Sequence, residues 1–301
     1  MLHITNIKIE LHTSVKSAVE SLPPTYTQLK IKNGVNGISF MIKSFNNESF
    51  SLVLSGGGAL GIAQLGVIYD LEQHGVVPSE IIGTSMGSII GASLAIGMKE
   101  KDIFALFDEF SNIFNWIKFS FSGNSIIKSE KIETIFDTIF SNKKMKDTLI
   151  PLKIIATNTL NGEIKVFNSS DNVYVKDAVL ASMAIPGIFE EKEIGGVLYS
   201  DGFLCENLGI NQASYNNILA IDVLGKNSFA QEMPSNFFKT SNVLEMLEKS
   251  MRILMYNQTR VSLANTEKNV LLIEPPTKEY KTFQFHKYKE IREVGLGLCF
   301  H

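Results

Sequence analysis

The chain has 301 residues, 45% of them hydrophobic and 20% charged, with a net charge of −3 and a mean hydropathy of +0.10. This balance excludes a disordered chain, and it gives no basic field that would draw nucleic acid as a partner. Two cysteines, Cys205 and Cys299, are too few for a disulfide framework and lack metal-ligand spacing, so a reducing, cytoplasmic setting is expected.

The N-terminus mixes charge into every short apolar run, unlike a secretory leader, and no apolar run reaches the roughly 18 residues of a spanning helix. Any membrane contact is therefore expected to be peripheral. Residues 1–48 read as an extension whose YTQLKIKNGVNGISFMIKS segment predicts a β-hairpin around NGVNG. From Ser51 onward short apolar runs alternate with helical periods: SLVLS, a glycine-rich turn, the helix ALGIAQLGVIYDLEQHG, the strand EIIGTS and the helix MGSIIGASLAIGM. Strand and helix in alternation predict a mainly parallel sheet covered on both faces, an α/β/α sandwich.

KEKDIFALFDEFSNIF predicts an amphipathic helix with Phe104, Phe107, Phe110 and Phe114 on one stripe. With Trp116 nearby, this aromatic-rich run offers two readings, a core-facing helix face or an interfacial one. PLKIIATNTLNGEIKVFNSS predicts a hairpin with a tight two-residue turn at Asn161 and Gly162. KDAVLASMA predicts a helix that ends before Pro186, because the residue ahead of a proline leaves the α region. GGVLYSDG, ILAIDVLG and NVLLIE predict further strands, and VLEMLEKSMRILMYNQTRVSLAN a long helix. Residues 276–301 read as a helical tail, in which KEYKTFQFHKYKEIR is either a solvated helix or a weak site for anionic lipid.

Two glycine motifs stand between strand and helix. In SGGGALG, residues 55–61, three successive glycines leave backbone N–H groups unobstructed by any Cβ. Gly56, Gly58 and Gly61 also satisfy a dinucleotide-binding spacing, but the acidic residue that fingerprint needs would be Glu80, which falls at the wrong end of its strand. In GTSMG, residues 83–87, small neighbours let the chain turn sharply and lift Ser85 at a helix N-terminus, the nucleophile-elbow arrangement; the bland alternative is a serine N-cap. Consecutive parallel strands would bring both turns to one sheet edge, with a hydroxyl on one and amide donors on the other, as acyl transfer requires.

A serine nucleophile needs a base, and none of the five histidines, His3, His12, His74, His286 and His301, sits in a motif that supplies one. At this point the chain resembles the patatin-like phospholipase family, through SGGGALG, GTSMG and ASMAIPGIFEEKEIGGVLYSDGFLCENLGI, over about residues 51–275. The resemblance implies a catalytic domain over residues 49–275 and a Ser-Asp dyad with Ser85 as nucleophile and Asp201 as base. It also implies an oxyanion hole at the backbone of Gly56, Gly57 and Gly58, a lipid or phospholipid substrate, and no cofactor or metal. The departures are Leu60, where the family often has Arg or Lys, and Phe203, where it often has Gly or Ala; the first weakens the expected grip on a phosphate. Two alternatives stand beside this reading: a catalytically silent lipid-binding protein of the same fold, and an esterase with a Ser85–Asp201–His286 triad. A water-exposed aspartate would be a feeble base, so Asp201 is expected in a desolvated site that raises its pKa. Nothing in the sequence fixes the oligomeric state.

Overall fold

The computed structural model describes residues 26–27, 48–107, 130–229 and 240–300. Its strands, β1 (Tyr26–Thr27), β2 (Phe50–Leu54), β3 (Glu80–Thr84), β4 (Leu152–Asn158), β5 (Ile164–Phe167), β6 (Lys192–Ile194), β7 (Val197–Asp201), β8 (Asn217–Ile221) and β9 (Asn269–Ile273), form one nine-stranded sheet. The order is β1-β9-β8-β2-β3-β4-β7-β6, with β5 added on β4. Every pair from β1 to β4 along that order is parallel, and the pairs β4–β5, β4–β7 and β6–β7 are antiparallel. The helices are α1 (Ala63–Gln73), α2 (Met86–Ala95), α3 (Glu130–Phe140), α4 (Val175–Ser182), α5 (Thr240–Asn265) and α6 (Tyr288–Glu293), with further helical residues at 100–107.

The strands read as continuous apolar runs because both of their faces are covered. Leu52, Leu54, Ile81 and Ile154 pack in one core with Leu65 and Ile68 of α1, Ile90 of α2 and Val179 of α4. Val53, Ile82 and Ile155, the alternate residues of the same strands, enter a second core with Leu208, Ile210 and Leu263 of α5. The period of two along each strand thus separates two helix-covered faces, each buried large aliphatic side chain contributing about 1.5–3 kcal/mol. The expected α/β/α sandwich with a mainly parallel sheet is what forms.

Several local expectations change in detail. The first helix begins as a 3₁₀ turn, Gly58–Ile62, before α1. The β4–β5 hairpin closes through a longer loop at 159–163 rather than a two-residue turn. There Asn158 bonds the amides of Leu160 and Gly162, and Gly162 alone in the loop takes positive φ, at 73°. Strand β6 pairs with β7 across Gly195 and Gly196 and was not anticipated. The hairpin expected within residues 1–48 lies outside the described residues, apart from β1, which joins β9 in parallel. Of the aromatic stripe, Phe107 is buried, and Phe110, Phe114 and Trp116 lie outside the described residues. Among the described residues no helix is long and apolar enough to cross a membrane.

The tail after residue 275 is integral to the main core. Tyr288 and Ile291 are buried, and α6 lies against α1 so closely that a Cβ on Gly66 would come within 2.4 Å of the Arg292 carbonyl oxygen. Arg292 reaches across to a bidentate ion pair with the buried Glu100, at 2.6 and 3.2 Å.

Candidate active site

The site assembles where three strands finish. Because Leu54 pairs with Gly83, β2 and β3 end level, and the loops that follow, 55–58 and 84–87, leave the sheet side by side. The third strand arrives from the opposite direction. Residues 154 and 155 of β4 pair with both β3 and β5, and residues 156 and 157 with both β5 and β7. Along residues 154–157 β5 therefore holds one edge of β4, and β3 and β7 share the other edge end to end. Thr84 pairs with Ile155 and Asp201 with Ala156, so the last residues of β3 and β7 meet at successive positions on β4.

That head-on meeting brings Ser85 to Asp201. Ser85 Oγ donates to Asp201 Oδ2 at 2.6 Å. Ser85 takes φ 52° and ψ −121°, one of two non-glycine residues with positive φ among those described, a strained conformation costing about 1–3 kcal/mol. The surroundings hold it there. Its carbonyl accepts from Ser88 N, Ser88 Oγ and Ile89 N in the first turn of α2, and its own N–H donates to Ser182 Oγ at 2.9 Å. Gly87 lets that turn sit against the end of the neighbouring β2: a Cβ there would approach the Leu54 carbonyl oxygen to 2.3 Å.

Asp201 is fully buried, and its backbone is tied by its N–H to the Ala184 carbonyl and by its own carbonyl, which accepts from Thr157 Oγ1. Oδ1 accepts from Phe203 N at 3.0 Å, an Asx turn that fixes the carboxyl plane and leaves Oδ2 for the serine. Burial pushes the carboxyl up to about 7, partly opposed by the bonds from Phe203 N–H and the Ser85 hydroxyl. Gly202 is required by close approach, since a Cβ would meet the Ile155 carbonyl at 2.3 Å.

The three expected oxyanion glycines are not equivalent. Gly56 N–H donates to the Asn207 carbonyl at 3.3 Å, whereas the amides of Gly57 and Gly58 find no acceptor among the described residues. Both of these take positive φ, at 150° and 56°. Ala59 N–H is held by the Thr282 carbonyl at 2.8 Å, and Thr282 is itself gripped from α5: its N–H donates to Glu248, and Arg252 donates to its hydroxyl and to the Tyr280 carbonyl. The C-terminal segment thus buttresses the glycine loop, a role no local motif announces. Ser182 was likewise missed as a partner of Ser85, although it lies inside the ASMAIPG stretch.

Other sequence candidates fall elsewhere. Glu80 opens β3 at the amino end of the sheet, where Ser51, Ser214 and Lys153 bind it, far from any phosphate role at the glycine loop. His74 Nδ1 lies 2.8 Å from the Asp70 carbonyl of its own helix and stacks on Phe300. His286 is exposed, and the hydrogen bonds to the buried Asp201 carboxyl come from Ser85 Oγ and Phe203 N–H. Leu60 is fully buried in the core and Phe203 partly so.

The fold and these loops define a class, and comparison with known proteins gives its name. Residues 52–214 match the model of the patatin-like phospholipase family, and the chain belongs to that family, a lipid ester hydrolase by class. It is 26% identical to "Lysophospholipase NTE1" of Debaryomyces hansenii over 97% of this chain and 21% of that protein, and 23% identical to the protein of the same name from Saccharomyces cerevisiae over 97% and 19%. The chain spans about a fifth of the length of these curated relatives. Among solved structures it resembles VipD from Legionella pneumophila, with a TM-score of 0.42 and 14% identity over 82% of this chain and 67% of that one.

Proposed function

We propose that the chain hydrolyses carboxylic esters of lipids through a Ser85–Asp201 dyad and an acyl-serine intermediate, with lysophospholipids or phospholipids as substrates. The observation that carries this reading is the 2.6 Å bond from Ser85 Oγ to a fully buried carboxyl raised to about 7. Such a carboxyl is ionised near neutral pH yet holds a proton strongly enough to return it, the property a general base and acid needs. Ser85 Oγ attacks the ester carbonyl carbon while its proton passes to Asp201 Oδ2. The oxyanion faces the Gly57 and Gly58 amides, and collapse expels the alcohol, which takes the proton from Asp201. Water then attacks the acyl-serine, gives its proton to Asp201, and the acid leaves as Ser85 recovers its own.

No histidine step is needed, in keeping with the exposure of His286. The lysophospholipase names of the relatives favour a lipid with one acyl chain. Native protein is expected to react with a fluorophosphonate and to release fatty acid from lysophosphatidylcholine, and Ser85→Ala to do neither. Hydrolysis retained in Ser85→Ala would refute the reading.

A further inference from the structure

We propose that the side-chain amide of Asn207 is a third donor to the oxyanion, acting beside the Gly57 and Gly58 amides; the inference rests on the ester-hydrolase reading of the site. Asn207 is fully buried, and neither Oδ1 nor Nδ2 has a hydrogen-bond partner among the described residues. A buried amide with both ends unpaired is costly, and native structures keep one where a ligand or water completes it. Its position points to a ligand of the reaction. The Asn207 carbonyl accepts from Gly56 N–H at 3.3 Å, which pins this residue to the glycine loop. A Cβ on Gly56 would lie 2.7 Å from Asn207 Oδ1 and 3.1 Å from Ser85 Cβ, so the bare Gly56 Cα separates the amide from the nucleophile.

The two ends of the amide exchange by rotation about the last side-chain bond, and with neither end bonded nothing holds one orientation against the other. With Nδ2 toward the site, Asn207 offers a hydrogen to the oxygen that gains the carbonyl electron pair as Ser85 Oγ bonds to carbon. This matters because the loop is one donor short of its glycine count: the same residue that takes the Gly56 amide out of the oxyanion hole supplies a side-chain amide in exchange. Beside the buried Ser85 and Asp201, a donor aimed at developing charge lowers the barrier far more than it tightens substrate binding.

Asn207→Leu keeps nearly the same shape and deletes both unpaired polar atoms. Measured on a soluble aryl ester and normalised to the sites titrated by fluorophosphonate, kcat is expected to fall about 10²-fold or more, as for loss of an oxyanion donor, with KM within about threefold and the melting temperature unchanged or raised. Asn207→Asp, of the same shape but acceptor-only once ionised, is expected to lose as much and covers the case in which the leucine variant does not fold. Wild-type kcat per titrated site in either folded variant overturns the inference, and so does a loss confined to KM. Ser85→Ala separates the two failures: if it is active the dyad reading falls, and if it is inactive while Asn207→Leu is active only the role of Asn207 falls.

Discussion

Asp201 and Asp222 make an instructive pair. Asp201 closes β7 and Asp222 follows β8, both are fully buried, and both are raised to about 7 with burial as the largest cause. Each makes the same Asx turn, Oδ1 accepting from the N–H two residues on, Phe203 in one case and Leu224 in the other. They differ at the second oxygen. Asp201 Oδ2 receives the Ser85 hydroxyl, whereas Asp222 Oδ2 makes no hydrogen bond among the described residues; the nearby Glu274 charge raises Asp222 further, and the Thr259 and Ser55 hydroxyls lower it only in part. A perturbed carboxyl is therefore common to both places, with hydroxyls near each, and the 2.6 Å bond from the strained Ser85 at the turn beside the glycine loop is what separates a candidate base from a buried structural acid.

The sharpest way to break this comparison is to neutralise each carboxyl in turn. Asp201→Asn is expected to lower kcat by about 10³-fold or more, and Asp222→Asn to leave it within about fivefold, measured on lysophosphatidylcholine. Equal losses would erase the distinction. Next in size is the pH dependence: kcat/KM should rise with pH through about 7, as Asp201 gives up its proton and becomes able to accept one from Ser85. The inflection should persist in Asp222→Asn; its disappearance there would transfer the titration to the wrong residue.

A smaller effect concerns stability. Each carboxyl keeps its proton in the folded chain up to about 7 but loses it near 4 when unfolded, so stability falls as pH rises across that window. Asp222→Asn should remove part of that slope and raise the melting temperature at pH 8 relative to pH 5, by roughly 2–4 °C for each kcal/mol recovered. Smallest is Ser182→Ala, which strips the Ser85 N–H of its buried acceptor; stability should fall by about 1–3 kcal/mol in a denaturant titration.

Much of the contrast between the two aspartates was invisible in sequence. ILAIDVLG and GGVLYSDG both present an aspartate after an apolar run, and only a resemblance to a known family singled out Asp201. Local chemistry was legible where a single turn dictates it: GTSMG requires small residues around a strained serine, SGGGALG bares its amides, and the alternation of strand and helix implies a parallel sheet. What was not legible depends on meetings between distant segments. The end-to-end placement of β3 and β7 on β4, the hold of Thr282 on the glycine loop, and the capture of the Gly56 amide by Asn207 each join residues remote in the chain, and no period or motif encodes them. The five-residue loop at 159–163 was missed for a different reason: Asn161-Gly162 suits a two-residue turn, but the side chain of Asn158 offers the backbone a wider one.

The central proposition is that ester cleavage proceeds through carbon bonded to the oxygen that Asp201 deprotonates. It is tested most directly by quenching the native enzyme in acid during turnover of lysophosphatidylcholine and reading the mass of its peptides. A fatty-acyl adduct on the peptide that carries Ser85, building up and decaying at the rate of turnover, is the result expected. An adduct on another residue, or turnover with none on Ser85 and undiminished in Ser85→Ala, would contradict it.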